Sequence, residues 1–361
     1  MKRVAIRTIT ARPVAVPMRR PLQTATNAVS IAPLVLLDMK TSAGIVGRAY
    51  LFAIGRNNLK PIVALIEAMA AMLEGDEVAP FEIEKKLRAR HALLGVHNIV
   101  LFAMAGIDMC AWDALGQALG QPVVRLLGGA PRPVAAYNSN GLGILKTREL
   151  AKEAEELAKG FPAVKLRLGR LDAKADLEAL RAVKKAIGPQ ATLMVDFNQS
   201  LSVAEAIRRG RMIDEEGGVL WIEEPVRADD FAGCAKVARE VATPIQIGEN
   251  FMGPEQMAQA IAAGCCDYVM PDAQRIGGVT GWMRAAALAQ GAGLEMSSHL
   301  FPEASAQLLP LTPTCHWLEY VDWANPVLKE PAEIKDGFVM PGSRPGLGMS
   351  WNEKAVRKYL A

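Results

Sequence analysis

From Val134 to Leu318 the sequence alternates short β-rich runs with amphipathic helical stretches. The runs are Val134–Ser139, Ala163–Leu168, Thr192–Phe197, Val219–Ile222, Ile245–Ile247, Tyr268–Met270 and Leu294–Ser297, with a last one near Trp317–Leu318. They recur every 25 residues or so, roughly the length of a strand, a helix and their turns. Parallel strands buried on both faces and separated by helices are the pattern of a βα-barrel. Eight strands in roughly 190 residues is compact for that fold, and feasible.

The chain ahead of this repeat has another character. Val4–Val16, Leu34–Thr41 and Ile45–Phe52 read as strands, with Ser42-Ala43-Gly44 as the hairpin turn between the last two. Helical spacing follows over Leu59–Leu73, Phe81–Leu94 and Val100–Leu119. Leu126-Leu127-Gly128-Gly129, then Pro131 and Pro133, mark a boundary. Three units are expected: an α+β domain over 1–130, the barrel over 131–322, and a Pro/Gly-rich segment over 323–361 that packs back on the first domain.

Bulk properties exclude several classes of function. Forty-one basic and 38 acidic residues leave a net charge of only +3, and no Lys/Arg block gathers on one segment. Nucleic acid is therefore not an expected partner. The first residues alternate charged and apolar side chains, unlike a signal peptide, and the charge-free stretch from Ala92 ends at Asp108, short of a bilayer's width. A cytoplasmic protein with no membrane partner is expected. The five cysteines are scattered, lack zinc-site spacing, and read as reduced, mostly buried thiols.

The chemistry lies at the ends of the barrel strands. Ser139 follows the first run, and Lys165 and Arg167 lie on the second. Asp196 and Asn198, Glu223-Glu224, Glu249 with Asn250, Asp272, His299 and Glu319 follow on successive runs. Barrel enzymes place their sites at this rim. One acidic residue after a strand is usually a helix cap; a polar group after every strand is not explained that way. Asp196, Glu223 and Glu249 would converge from adjacent strands, and three hard oxygen ligands select Mg²⁺, or Mn²⁺, over zinc. Lys165 and Arg167, two apart on one strand, share the interior face. His299 with Asp272 has the composition of an oriented general base. Glu319, after Trp317-Leu318, would be dry enough to stay protonated and to donate a hydrogen bond. His91, His97 and His316 read as structural, and Gly277 to Gly281 as a tight turn with close packing.

Val164-Lys165-Leu166-Arg167, Val195-Asp196-Phe197-Asn198-Gln199, Trp221-Ile222-Glu223-Glu224-Pro225, Gly248-Glu249-Asn250, Met270-Pro271-Asp272, Ser298-His299-Leu300-Phe301 and Trp317-Leu318-Glu319 form an ordered series. It resembles the motif series of the mandelate racemase subgroup of the enolase superfamily, and the similarity extends over essentially the whole chain. The resemblance implies an α/β fold: a (β/α)7β modified TIM barrel under an N-terminal α+β capping domain completed by the C-terminal segment. It implies Mg²⁺ on Asp196, Glu223 and Glu249, a His299–Asp272 dyad, and Glu319 as electrophilic acid. Lys165 and Ser139 would touch the carboxylate of a small-molecule substrate, with Asn198 near its α-substituent. A homo-oligomer, an octamer by family analogy, is also implied. The family's racemase carries Lys-x-Lys, and here the second lysine is Arg167. A guanidinium is a poor base, which puts a symmetric two-base racemisation in question.

In the family, selectivity comes from capping-loop and barrel-end positions, here Leu22, Thr26, Val29, Phe52, Ile54, Leu300 and Val321. All but Thr26 are apolar. A sugar acid would leave its hydroxyls unpaired there, so a 2-hydroxy acid with an apolar side group is favoured. The expected activity is Mg²⁺-dependent α-proton abstraction through a metal-stabilised enediolate, most simply racemisation or epimerisation. The alternatives are an acid-sugar dehydratase and, more remotely, a binding protein on a disabled barrel.

Overall fold

The computed structural model describes residues 4–361, so the first three residues of the segment read against a leader lie outside it. Strands β1 (Ile6–Gln23), β2 (Ala28–Thr41) and β3 (Val46–Phe52) form an antiparallel sheet in the order β1-β2-β3. The β2–β3 hairpin turns at Gly44, which holds a φ of +75°. Strand β1 runs well beyond Val16 despite Pro17 and Pro21. It is an edge strand, where a missing N–H costs no ladder bond, and the pairing resumes after an irregularity at Leu22↔Val29. That extension carries Leu22 and Val29 out over the barrel.

Helices α1 (Leu59–Leu73), α2 (Pro80–Arg90), α3 (Ile99–Leu119) and the short α4 (Val123–Leu126) complete this domain. By length and hydropathy α3 could cross a membrane, but 89% of its apolar window is buried inside the protein. It packs directly on the sheet. A Cβ at Gly106 would stand 3.0 Å from the side chains of Leu37 and Leu51, so only glycine lets helix and sheet come this close.

Eight parallel strands then alternate with seven helices. They are β4 (Val134–Asn138), α5 (Thr147–Leu157), β5 (Ala163–Arg167), α6 (Ala173–Ile187), β6 (Thr192–Asp196), α7 (Val203–Glu216), β7 (Ile222–Glu223), α8 (Phe231–Glu240), β8 (Ile245–Ile247), α9 (Pro254–Ala262), β9 (Tyr268–Val269), α10 (Gly278–Ala292), β10 (Glu295–Met296), α11 (Pro302–Leu308) and β11 (Leu318–Tyr320). Strand β11 pairs with β4, and backbone bonds from Ser298 to Trp317 (2.9 Å) and from His316 to Met296 (3.0 Å) close the ring. The result is a (β/α)7β barrel, α/β in class, beneath the N-terminal domain. The fourth strand starts at Ile222 rather than Val219, because α7 ends only at Glu216 and the chain needs Gly217 and Gly218, both at positive φ, to turn back.

The C-terminal segment departs in part from expectation. A hairpin of β12 (Ile334–Lys335) and β13 (Phe338–Val339) pairs with β4 of the barrel, at Phe338↔Ala135 and Val339↔Val134. Strand β11 meets β4 only from Ala136 onward, which leaves Val134 and Ala135 open to that hairpin. The rest packs on the capping domain: Trp323 lies beside Phe52, the Leu347 N–H donates to Asp113 at 2.6 Å, the Trp351 indole donates to Asp38 at 2.9 Å, and α12 (Glu353–Tyr359) lies on β1.

Candidate active site

Strand exits β5 to β11 surround one cavity of about 710 Å³, roofed by the β1–β2 turn and the end of β3. Backbone strain concentrates at this rim. Of nine non-glycine residues at positive φ among those described, Asn198, Gln199, Glu224, Leu300 and Phe301 all sit at the exits of β6, β7 and β10. Such conformations persist only where surrounding contacts impose them, and they gather where function requires them.

Asp196, Glu223 and Glu249 come from β6, β7 and the turn after β8, and their ligand atoms lie within 4.8 Å of one another. Lys165 stands beside them, with Nζ 2.5 Å from Glu223, 2.8 Å from Glu319 and 3.4 Å from Asp196. Burial would drain the proton from Lys165, but Glu223 and Glu319 outweigh it and hold the ammonium well above its ordinary pKa. Burial, reinforced by Asp196, Glu319 and Glu249 against the pull of Lys165, pushes Glu223 up to about 8. One lysine thus faces three buried carboxylates, Asp196, Glu223 and Glu319, with Glu224 and Glu249 on the same rim. This excess of negative charge, on oxygen donors alone, fits a divalent cation. The Trp221 indole, fully buried in the barrel floor, donates to the second oxygen of Glu223 at 3.2 Å and fixes its orientation.

Opposite, His299 Nδ1 lies 2.7 Å from Asp272 Oδ2, and its Nε2 lies 3.4 Å from Glu249. Asp272 is itself held, since Oδ1 accepts the backbone N–H groups of Gln274 and Arg275 at 2.8 and 3.0 Å. Burial lowers the imidazole's proton affinity, but Glu249, Glu319 and Asp272 together raise its pKa to about 9. Glu319 does not behave as expected from its dryness. Burial favours its neutral form, yet Lys165 and His299 pull its pKa below the usual carboxylate range, and the Leu300 N–H donates to it at 2.8 Å. The ammonium against it, invisible in the local sequence, reverses the effect of burial.

The structure brings Lys165, Arg167, Asp196, Asn198, Glu249, His299 and Glu319 to the cavity surface together with Leu22, Thr26, Val29, Phe52, Ile54 and Leu300. Glu223 and Asp272 lie just behind. Two predicted contacts do not reach the cavity. Ser139 is fully buried behind Arg167 and spends its hydroxyl on that guanidinium, and Val321 is buried in the core beyond β11. The family models decide what this arrangement is. Residues 6–128 match the model described as mandelate racemase / muconate lactonizing enzyme, N-terminal domain, and residues 149–355 match enolase C-terminal domain-like. The chain belongs to the mandelate racemase/muconate lactonizing enzyme family.

Members of this family that resemble the chain include L-talarate/galactarate dehydratase of Salmonella typhimurium. It is 32% identical over 330 residues, which cover 90% of this chain and 82% of the relative. An enolase from alpha proteobacterium bal199, solved with bound magnesium, is 45% identical with a TM-score of 0.97, over 99% of this chain and all of its own. An enolase from Bradyrhizobium, complexed with magnesium and mandelic acid, is 44% identical with a TM-score of 0.96, over 100% of this chain and 99% of its own. Dehydratases, cycloisomerases and epimerases all occur among the named relatives. Like them, the chain is an enzyme of the enolase superfamily.

Sequence reasoning missed part of the family member's cavity wall. Trp323 lines it, with its ring 5.3 Å from that of Phe52, and Met252, Gln256 and Arg275 line the far side. Trp323 lies past the last barrel strand, where no periodicity marks a residue as inward; being the aromatic nearest that strand's exit was its one signal. Trp221 was legible only as an apolar core residue, because its polar atom points along the strand to Glu223.

Proposed function

We propose that the protein holds Mg²⁺ on Asp196, Glu223 and Glu249 and abstracts the α-proton of a 2-hydroxy acid with an apolar, aromatic-sized substituent, most simply to racemise it. The observation that carries the reading is the His299–Asp272 pair, 2.7 Å apart, with His299 at the surface of the cavity that Lys165 and Arg167 also line, beneath Leu22, Val29, Phe52 and Ile54 of the capping domain. When bound, the cation supplies a Lewis acid that lowers the energy of negative charge on the substrate carboxylate. Asp272 fixes the tautomer and tilt of His299, leaving Nε2 to take the α-proton. Lys165 places a fixed positive charge beside the same carboxylate. Leu22, Val29, Phe52, Ile54, Leu300 and Trp323 exclude water around the α-substituent and offer it no hydrogen-bond partner. Arg167 faces the cavity from the opposite side and delivers or withholds a proton there.

Dehydration of a sugar acid is the second reading, favoured by the polar far rim of Asn27, Gln256 and Arg275. There His299 would also assist departure of a β-hydroxyl. Proton NMR in D₂O over a panel of 2-hydroxy acids and sugar acids, with Mg²⁺, separates the two. Racemisation exchanges the α-proton and conserves the skeleton; dehydration gives a 2-keto-3-deoxy acid. Failure of every 2-hydroxy acid with an apolar substituent to exchange would sink the first reading.

A further inference from the structure

The loop after Asp272 reaches the roof of the cavity through one side chain. Gln274 is buried, and its Oε1 accepts the Phe52 N–H at 2.8 Å while its Nε2 donates to the Phe52 carbonyl at 3.1 Å. Phe52 ends β3, the strand at the far edge of the capping sheet, so these two backbone groups have no neighbouring strand to pair with. The glutamine amide supplies one donor and one acceptor side by side and stands in for that strand. Its grip lies on a contorted segment. Two residues on, Ile54 lies on the cavity wall at φ +65°, a left-handed conformation that a β-branched residue keeps only when its surroundings impose it. Asn58 holds the intervening Ala53 carbonyl at 3.0 Å, and Gln274 holds the Phe52 end.

We propose that Gln274 is a positioning residue for substrate selectivity: by clasping Phe52 it fixes the Phe52–Ile54 wall against which the substrate's α-substituent packs. The inference rests on the reading of the site given above. The same residue's backbone N–H supports Asp272, and every substitution at 274 other than proline preserves that bond. Side-chain variants therefore separate the wall from the dyad.

The test compares mandelate, whose phenyl ring is large enough to need the wall, with lactate, which has only a methyl group. Gln274→Met keeps the length and removes both polar partners. Gln274→Glu keeps the shape and the acceptor but turns the donor into an oxygen facing the Phe52 carbonyl. In D₂O with Mg²⁺, the ratio of kcat/KM for α-proton exchange, mandelate over lactate, is expected to fall about tenfold in both variants, through the KM for mandelate. A parallel loss for both acids, or an unchanged ratio, in variants that melt with the natural protein would overturn the inference. If the natural enzyme exchanges neither acid nor any other 2-hydroxy acid with an apolar substituent, the functional reading fails by itself. The clasp is then judged by calorimetric binding of the two acids to the Mg²⁺-loaded protein. A fall in the mandelate preference of the variants supports it, and equal preference in natural and variant proteins overturns it.

Discussion

Arg167 grips Ser139 at two points, with one terminal nitrogen donating to its carbonyl and the other to its hydroxyl, each at 3.1 Å. The first nitrogen also donates to the Gly141 carbonyl at 2.7 Å. These three bonds hold the guanidinium in place, and a guanidinium is a poor base. Exchange chemistry should therefore be lopsided. In D₂O the enantiomer presenting its hydrogen to His299 is expected to exchange readily and the other slowly, as followed for each by NMR without waiting for inversion. Arg167→Lys should speed the slow face, since an ammonium loses its proton more easily than a guanidinium. Equal exchange from both enantiomers in the natural enzyme would show Arg167 to be a competent base.

His299→Asn removes the proton acceptor but keeps a side chain able to bond Asp272. Exchange at the fast face should drop by about two to four orders of magnitude, while calorimetric Mg²⁺ affinity stays close to that of the natural protein. If exchange persists at its original rate, the base is another group.

Removing the cation should abolish activity, and adding Mg²⁺ back should restore it. Asp196→Asn, Glu223→Gln or Glu249→Gln each deletes a negative donor and should weaken Mg²⁺ binding. Trp221→Phe leaves the three carboxylates intact but frees the second oxygen of Glu223, and should weaken binding by about 10- to 100-fold. Full activity in chelator-stripped protein would contradict the metal-dependent reading.

Asp108 gives a pH dependence unconnected with catalysis. It sits in the middle of α3, fully buried, accepting the Thr280 N–H at 3.0 Å and its hydroxyl at 2.5 Å from α10 of the barrel. Burial raises its pKa from 3.8 to about 7, against the lowering effect of the Thr280 bonds. Between those values the folded chain binds more protons here than the unfolded chain. Stability from this group is full below pH 3.8 and is lost as pH rises to about 7. Asp108→Asn should flatten that slope in denaturation midpoints measured from pH 5 to 8. A slope unchanged by the substitution would assign it to other groups.

Much of this was legible because barrel chemistry follows strand order. Each strand exit carries its polar group at a fixed phase, so Asp196, Glu223, Glu249, Asp272 and His299 could be read one at a time. What failed depended on contacts between distant segments. Glu319 lies 2.8 Å from Lys165, more than 150 residues earlier in sequence, and that ammonium lowers its pKa. Ser139 is hidden by Arg167, whose wide head reaches back to take the hydroxyl for itself. Strand β1 continued through two prolines because it lies at an edge, and edge position is a property of the sheet rather than of the strand.

The docking of α12 and Trp351 on the capping sheet makes the barrel an insertion within another domain. Trp351 and Asp38, which share a hydrogen bond, are 313 positions apart, and Leu360 pairs with Val14 beyond them. On the ribosome, the strands that roof the cavity are therefore made before the barrel, and the helix that covers them after it. Until the barrel has been synthesised, β1 keeps an uncovered edge, and edges of that kind invite mispairing. The roof over the cavity gains this cover only once the barrel beneath it has been synthesised.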